Sequence, residues 1–200
     1  GRKGSGKSAL FYGLRKNISS DKNRMVLDLK PEGHQFVKLR EFVLSKLSDG
    51  AKEHTLTAFW HYLLLLEIAR RLVEKEALSA WRNKESLNEF KKLQELYHQH
   101  VEDVGEGDFS ERLMTLVNRL VQAMEGLGSE ADRASILTSR IYKGDIAQLN
   151  ALIVHHLSLR GDLWILFDNI DKGFPVQGIQ KEDILIVRCL LEATRKIQSD

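Results

Sequence analysis

Apolar residues recur at three- and four-residue steps along most of this chain, the spacing that lines one face of a helix. Only Pro31 and Pro175 interrupt the sequence, so long helices can run between them. The pattern predicts helices over residues 8–16, 36–47, 55–76, 85–104, 131–141, 145–159 and 181–197. Asp108 or Ser110 is placed to cap a further helix, with Leu113, Leu116, Val117, Leu120 and Met124 on one stripe. Asp145 is the expected cap of the helix that follows it, and the final helix presents Ile184, Leu185, Val187, Arg188 and Leu191. Two short unbroken apolar runs differ from all of this. Met25–Leu29 and Leu163–Phe167 have the length and residue types of buried strands, and the second stops at Asp168.

Composition adds limits. A 200-residue chain that is 42% hydrophobic can bury one core of respectable size. Its 30 basic and 28 acidic residues nearly cancel, to a formal charge of +2, so no broad positive field invites nucleic acid. The densest apolar stretch, 58–69, is broken by His61 and Glu67 and is too short for a bilayer, which takes about 20 residues. No membrane contact is expected. The single cysteine, Cys189, lies in an apolar stretch and fits a buried hydrophobe in a reducing, cytoplasmic setting.

Chemistry enters at the amino terminus. Gly1-Arg2-Lys3-Gly4-Ser5-Gly6-Lys7-Ser8 satisfies G-x-x-x-x-G-K-[ST], with a helical pattern immediately after it. Glycines let the backbone turn with positive φ and aim successive N–H groups, with the positive end of the helix, at phosphate oxygens. Gly1, Lys3, Gly4, Ser5, Gly6, Lys7 and Ser8 are therefore the candidate ATP-binding residues. Lys7 would reach the β- and γ-phosphates, and the Ser8 hydroxyl would hold Mg2+. Such a loop needs a carboxylate for the same cation, and Asp168 supplies it. Beyond it, Asn169 can orient a water, and Asp171 is the candidate to accept its proton. Because the motif begins at the first residue, the chain is expected to be part of a longer protein, truncated at both ends.

Other constellations carry less. His98 with His100, and His155 with His156, lack the i, i+4 spacing with Glu of a zinc helix. No N-K-x-D motif follows the acidic strand end and no L-S-G-G-Q signature precedes it. Arg140, Arg160, Arg188 and Arg195 are each available as an arginine finger, and the sequence does not choose among them.

Together, the glycine-rich loop, the segment Val26-Leu27-Asp28-Leu29-Lys30-Pro31-Glu32-Gly33, the long helical stretch and Asp168-Asn169-Ile170-Asp171-Lys172-Gly173 resemble bacterial P-loop ATPases related to the STAND and KAP groups. The resemblance departs at Asn169, where two adjacent acids are usual, and in the lack of membrane helices. It implies an ATP-hydrolysing switch or motor within a multidomain protein, with a homo-oligomer or a fused effector or sensor domain as partner, and a link to antiphage defence. A non-hydrolysing ATP-binding module and a small-molecule kinase are the alternatives. The expected fold is α/β: a P-loop NTPase parallel sheet flanked by helices, lacking its first and later strands. One domain would cover 1–200, with a mostly helical insertion or subdomain over 35–160.

Overall fold

A computed structural model of the protein describes residues 6–21, 24–76, 84–104, 107–125, 139, 146–158, 162–175 and 178–199. Helix α1 spans Lys7–Ser19 and is followed by strand β1, Met25–Leu29. Helix α2, Gly33–Lys38, widens into a π turn at Leu39–Val43 and then tightens into a 3-10 turn at Leu44–Lys46. The single helix expected over 36–47 is thus three short pieces. Then come α3 (Asp49–Glu76), α4 (Lys84–Val104), α5 (Phe109–Met124) and α6 (Ile146–Ser158). Strand β2, Leu163–Phe167, leads through a 3-10 turn at Ile170–Gly173 to α7, Lys181–Ser199. Most of the helix expected over 131–141, and the cap at Asp145, lie outside the described residues.

The α/β architecture expected from the sequence is not what the described residues form. They make a mostly helical molecule whose sheet has two strands, β1 and β2, paired in parallel from Met25 opposite Leu163 to Leu29 opposite Phe167. The physical reason lies in α3. Every residue from Thr55 to Ala69 is buried, so the helix is covered around its whole circumference rather than along one stripe. It packs against α7, α4, α6 and β1, and side chains from all of these join one core. Phe59 and Trp60 sit at the centre, and the Trp60 indole N–H donates to the Ile186 carbonyl at 3.2 Å.

Helix α5 begins where its polar residues allow. Asp108 accepts from the Glu111 backbone N–H at 2.9 Å while the Glu111 carboxylate accepts from the Asp108 N–H at 2.9 Å, a capping box. Leu113, Leu116, Val117, Leu120 and Met124 are all buried. Helix α7 is rotated away from the face the sequence predicts. Ile184 is 61% and Leu191 57% exposed, whereas Ile186, Cys189, Leu190, Ala193 and Ile197 are buried. Asp183, on the buried side, receives Arg40 at 2.7 Å, and this pairing is what lets a charge be covered on the inward face.

Candidate functional site

The start of α1 and the end of β2 hold the residues of interest. Gly6 occupies the N-cap of α1 with φ 73 and ψ 5, a left-handed backbone that an L side chain adopts only with strain. A Cβ there would meet nothing within 4 Å, so conformation rather than space calls for glycine. The Leu10 N–H donates to the Gly6 carbonyl at 2.9 Å, and Ser8 is exposed. Lys7 opens α1; its side chain, like Gly1, Lys3, Gly4 and Ser5, lies outside the described residues.

On the other side, the parallel ladder carries β2 one residue further. The Asp168 N–H donates to the Leu29 carbonyl at 3.1 Å, which pins the acid to the end of β1. The Asn169 N–H then donates to Asp168 Oδ1 at 2.9 Å and orients the carboxylate. Asn169 itself has φ 66, a left-handed conformation that asparagine tolerates better than most side chains. It starts the 3-10 turn that carries Asp171, and the Lys172 N–H returns to the Asn169 carbonyl at 3.0 Å.

The second and third turns of α1 and the end of β2 share a cleft of about 530 Å3. Leu10, Phe11 and Leu14 of α1 form one wall, and Asp168, Asn169 and Asp171 line the other. Ser8 lies one helical turn before Phe11 and is not part of the lining. Among the described residues no group of three or more His, Cys, Asp or Glu is gathered to hold a metal. A magnesium bound through one carboxylate, one hydroxyl and phosphate oxygens does not need such a group.

The structure adds a cation that the sequence does not single out. Lys30, just past the end of β1, holds its Nζ 4.9 Å from the Phe11 ring centroid and 4.8 Å from that of Tyr12. Only its place after an apolar run hinted at it. Of the candidate arginines, Arg188 pairs with Glu53 and Glu192, Arg195 is exposed, and Arg140 and Arg160 lie outside the described residues. The histidine pairs are divided between packing and surface contacts. The buried His100 ring shares a 3.2 Å hydrogen bond with the Tyr62 hydroxyl, and His155 meets Glu89 at 2.7 Å.

No family model matches the chain, and no solved structure matches it. Over 88 residues it is 32% identical to the putative transposon gamma-delta 80.3 kDa protein of Escherichia coli (strain K12). That stretch is 44% of this chain and 13% of that protein. No helix among the described residues is long and apolar enough to cross a membrane.

Proposed function

We propose that this chain binds ATP with Mg2+ at the start of α1 and hydrolyses it, acting as a switch or motor element of a larger protein. The observation that carries the reading is the shared cleft: Leu10, Phe11 and Leu14, one to two turns past the left-handed Gly6, open onto the same space as Asp168, Asn169 and Asp171 just past the end of β2. The reading rests on this local arrangement and not on a many-stranded sheet. The exposed N-terminus of α1 has no acidic residue in its first turn, which suits an anion. The Ser8 hydroxyl and the Asp168 carboxylate are hard oxygen donors of the kind magnesium takes. Lys7 would neutralise phosphate charge, and Asn169 would orient the attacking water. As that water adds to the terminal phosphorus and the bond to ADP breaks, its proton would pass to Asp171.

Calorimetric titration with ATP·Mg2+ tests binding. Lys7→Ala should abolish tight binding, and undiminished affinity in that variant rejects the assignment. A second reading, a module that holds ATP without cleaving it, is favoured by Asn169, whose amide cannot accept a proton. Phosphate release separates the two. Under hydrolysis, Asp171→Asn should slow release by about 100-fold or more while ATP affinity stays near that of the parent protein.

A further inference from the structure

Among the described residues, strand β1 has a strand neighbour on one side only. The Met25 N–H donates to the Asp162 carbonyl at 2.8 Å, and the Leu29 carbonyl accepts from Asp168 at 3.1 Å, so Met25, Leu27 and Leu29 direct their backbone groups toward β2. By the same alternation Val26 and Asp28 direct theirs away from it. Among the described residues no strand lies on that side.

What lies there is a trough. Two overlapping cavities, of about 540 Å3 and about 620 Å3, run along this edge and share Arg15, Val26, Arg71 and Glu74. Helix α1 supplies one wall through Arg15, and α3 supplies the other through Arg71 and Glu74. The trough shares no lining residue with the cleft at Asp168. Charged side chains guard many edge strands, and here Arg15, Arg71 and Glu74 line the trough beside a partly buried edge.

Two further features describe what would fit. Beside Met25 the lining carries Arg15, Arg24, Arg71 and Lys75 against Asp21 and Glu74, with Asp28 and Asp162 facing Arg15 and Arg24, and the Arg24 Nε, 3.4 Å from Asp21, is buried with no hydrogen-bond partner, a donor left for an incoming carboxylate. Toward the other end, Oδ1 of Asp28 is buried and has no hydrogen-bond partner, although the carboxylate pairs with Arg15 through Oδ2. Leaving such an acceptor unmet is unfavourable, and a donor entering the trough would relieve it.

We propose that the outer edge of β1 is a strand-addition site for an extended acidic segment of a partner protein. The segment pairs with the Val26 and Asp28 backbone groups and sets its carboxylates against Arg24, Arg71 and Lys75. Main-chain bonds supply the register, and the unmet Arg24 donor selects acidic over basic sequences.

The test uses fluorescein-labelled peptides of about seven residues, matched to strand length, alternating Val with Glu or Val with Lys. Polarisation titrations should show the Glu peptide binding about tenfold or more tightly than the Lys peptide, with the order reversed in the Arg71→Glu, Lys75→Glu double variant. Val26→Pro removes the outward N–H without touching the ladder to β2, and should weaken the Glu peptide by about tenfold. Should that variant fold poorly, amide exchange in the parent protein gives the same answer, because added Glu peptide should slow exchange at Val26 and Asp28. Equal affinity for the two peptides, unaltered exchange at those amides, or self-association through this edge that the peptide does not compete with overturns the proposal.

Discussion

Glu67 is a carboxylate inside the helix that forms the middle of the core, and its charge is met by Arg112. Arg112 of α5 grips it with two parallel bonds of 2.6 Å, Nε to Oε1 and Nη2 to Oε2, with both side chains almost fully covered. Removing one partner strands the other charge, which costs roughly 3–5 kcal/mol, whereas replacing both by apolar residues of similar size costs much less. Urea unfolding should therefore show Glu67→Gln strongly destabilised and the Glu67→Leu, Arg112→Met pair much closer to the parent protein. A double variant no better than the single would count against this account. Tyr62, five residues earlier on the same helix, gives a pH signature. Burial pushes its hydroxyl up to about 12 from the usual 10.0, against the pull of Arg119. The protonated form is thus favoured by folding, so its contribution is complete below about 10 and is lost as pH rises toward about 12. Burial also pushes Tyr97 upward, so phenolate absorbance should show a late phase with more than one contributor, and Tyr62→Phe should shrink its highest-pH part. From sequence alone, Glu67 reads as a break in an apolar run, because its partner lies 45 residues away and no local pattern joins them.

At the level of elements, what could be read in advance depended on whether local chemistry had a competitor. Met25–Leu29 and Leu163–Phe167 form strands with the bounds their apolar runs suggest, since neither run has helical spacing to oppose it. The start of α5 was equally legible, because Asp and Glu three positions apart answer each other's backbone N–H groups. Asp108→Ala should remove about 1 kcal/mol, seen as a lower urea midpoint with unchanged slope. The face of α7 was not legible. Ile184 and Leu191 are as apolar as Ile186 and Leu190, and the inward stripe is fixed by tertiary contacts, among them the ion pair from Arg40 to Asp183, 143 residues apart, that no local pattern announces. The π turn after Lys38 likewise leaves no mark in spacing, since the residues around it keep a helical periodicity.

For the molecule as a whole, the fold and the site part company. The expectation of a sheet flanked by helices followed from the glycine-rich octapeptide, which fixes local chemistry but not the number of strands. Helix α3 decides the rest: with its middle, residues 55–69, buried around the whole circumference, it gathers helices on several sides, and one parallel pair of strands suffices to bring Asp168 beside α1. The candidate site was legible where it depends on adjacent residues, at Gly6 and Asp168, and not at Lys30, whose ring contacts arise only when β1 meets α1. Ligand linkage then tests site and molecule together. A ligand that binds only the folded chain adds about 2.7 kcal/mol at 100 times its Kd, which for a chain of this size is a rise of roughly 5–10 °C in Tm. ATP with Mg2+ should produce a shift of that order in a thermal melt, and chelating the metal with EDTA should remove most of it. Asp168→Asn deletes the carboxylate charge while keeping its shape, so its melt with ATP should be nearly the same with and without Mg2+. A variant that keeps the full metal-dependent rise would show that the cation is held elsewhere, and would detach the end of β2 from the chemistry at the start of α1.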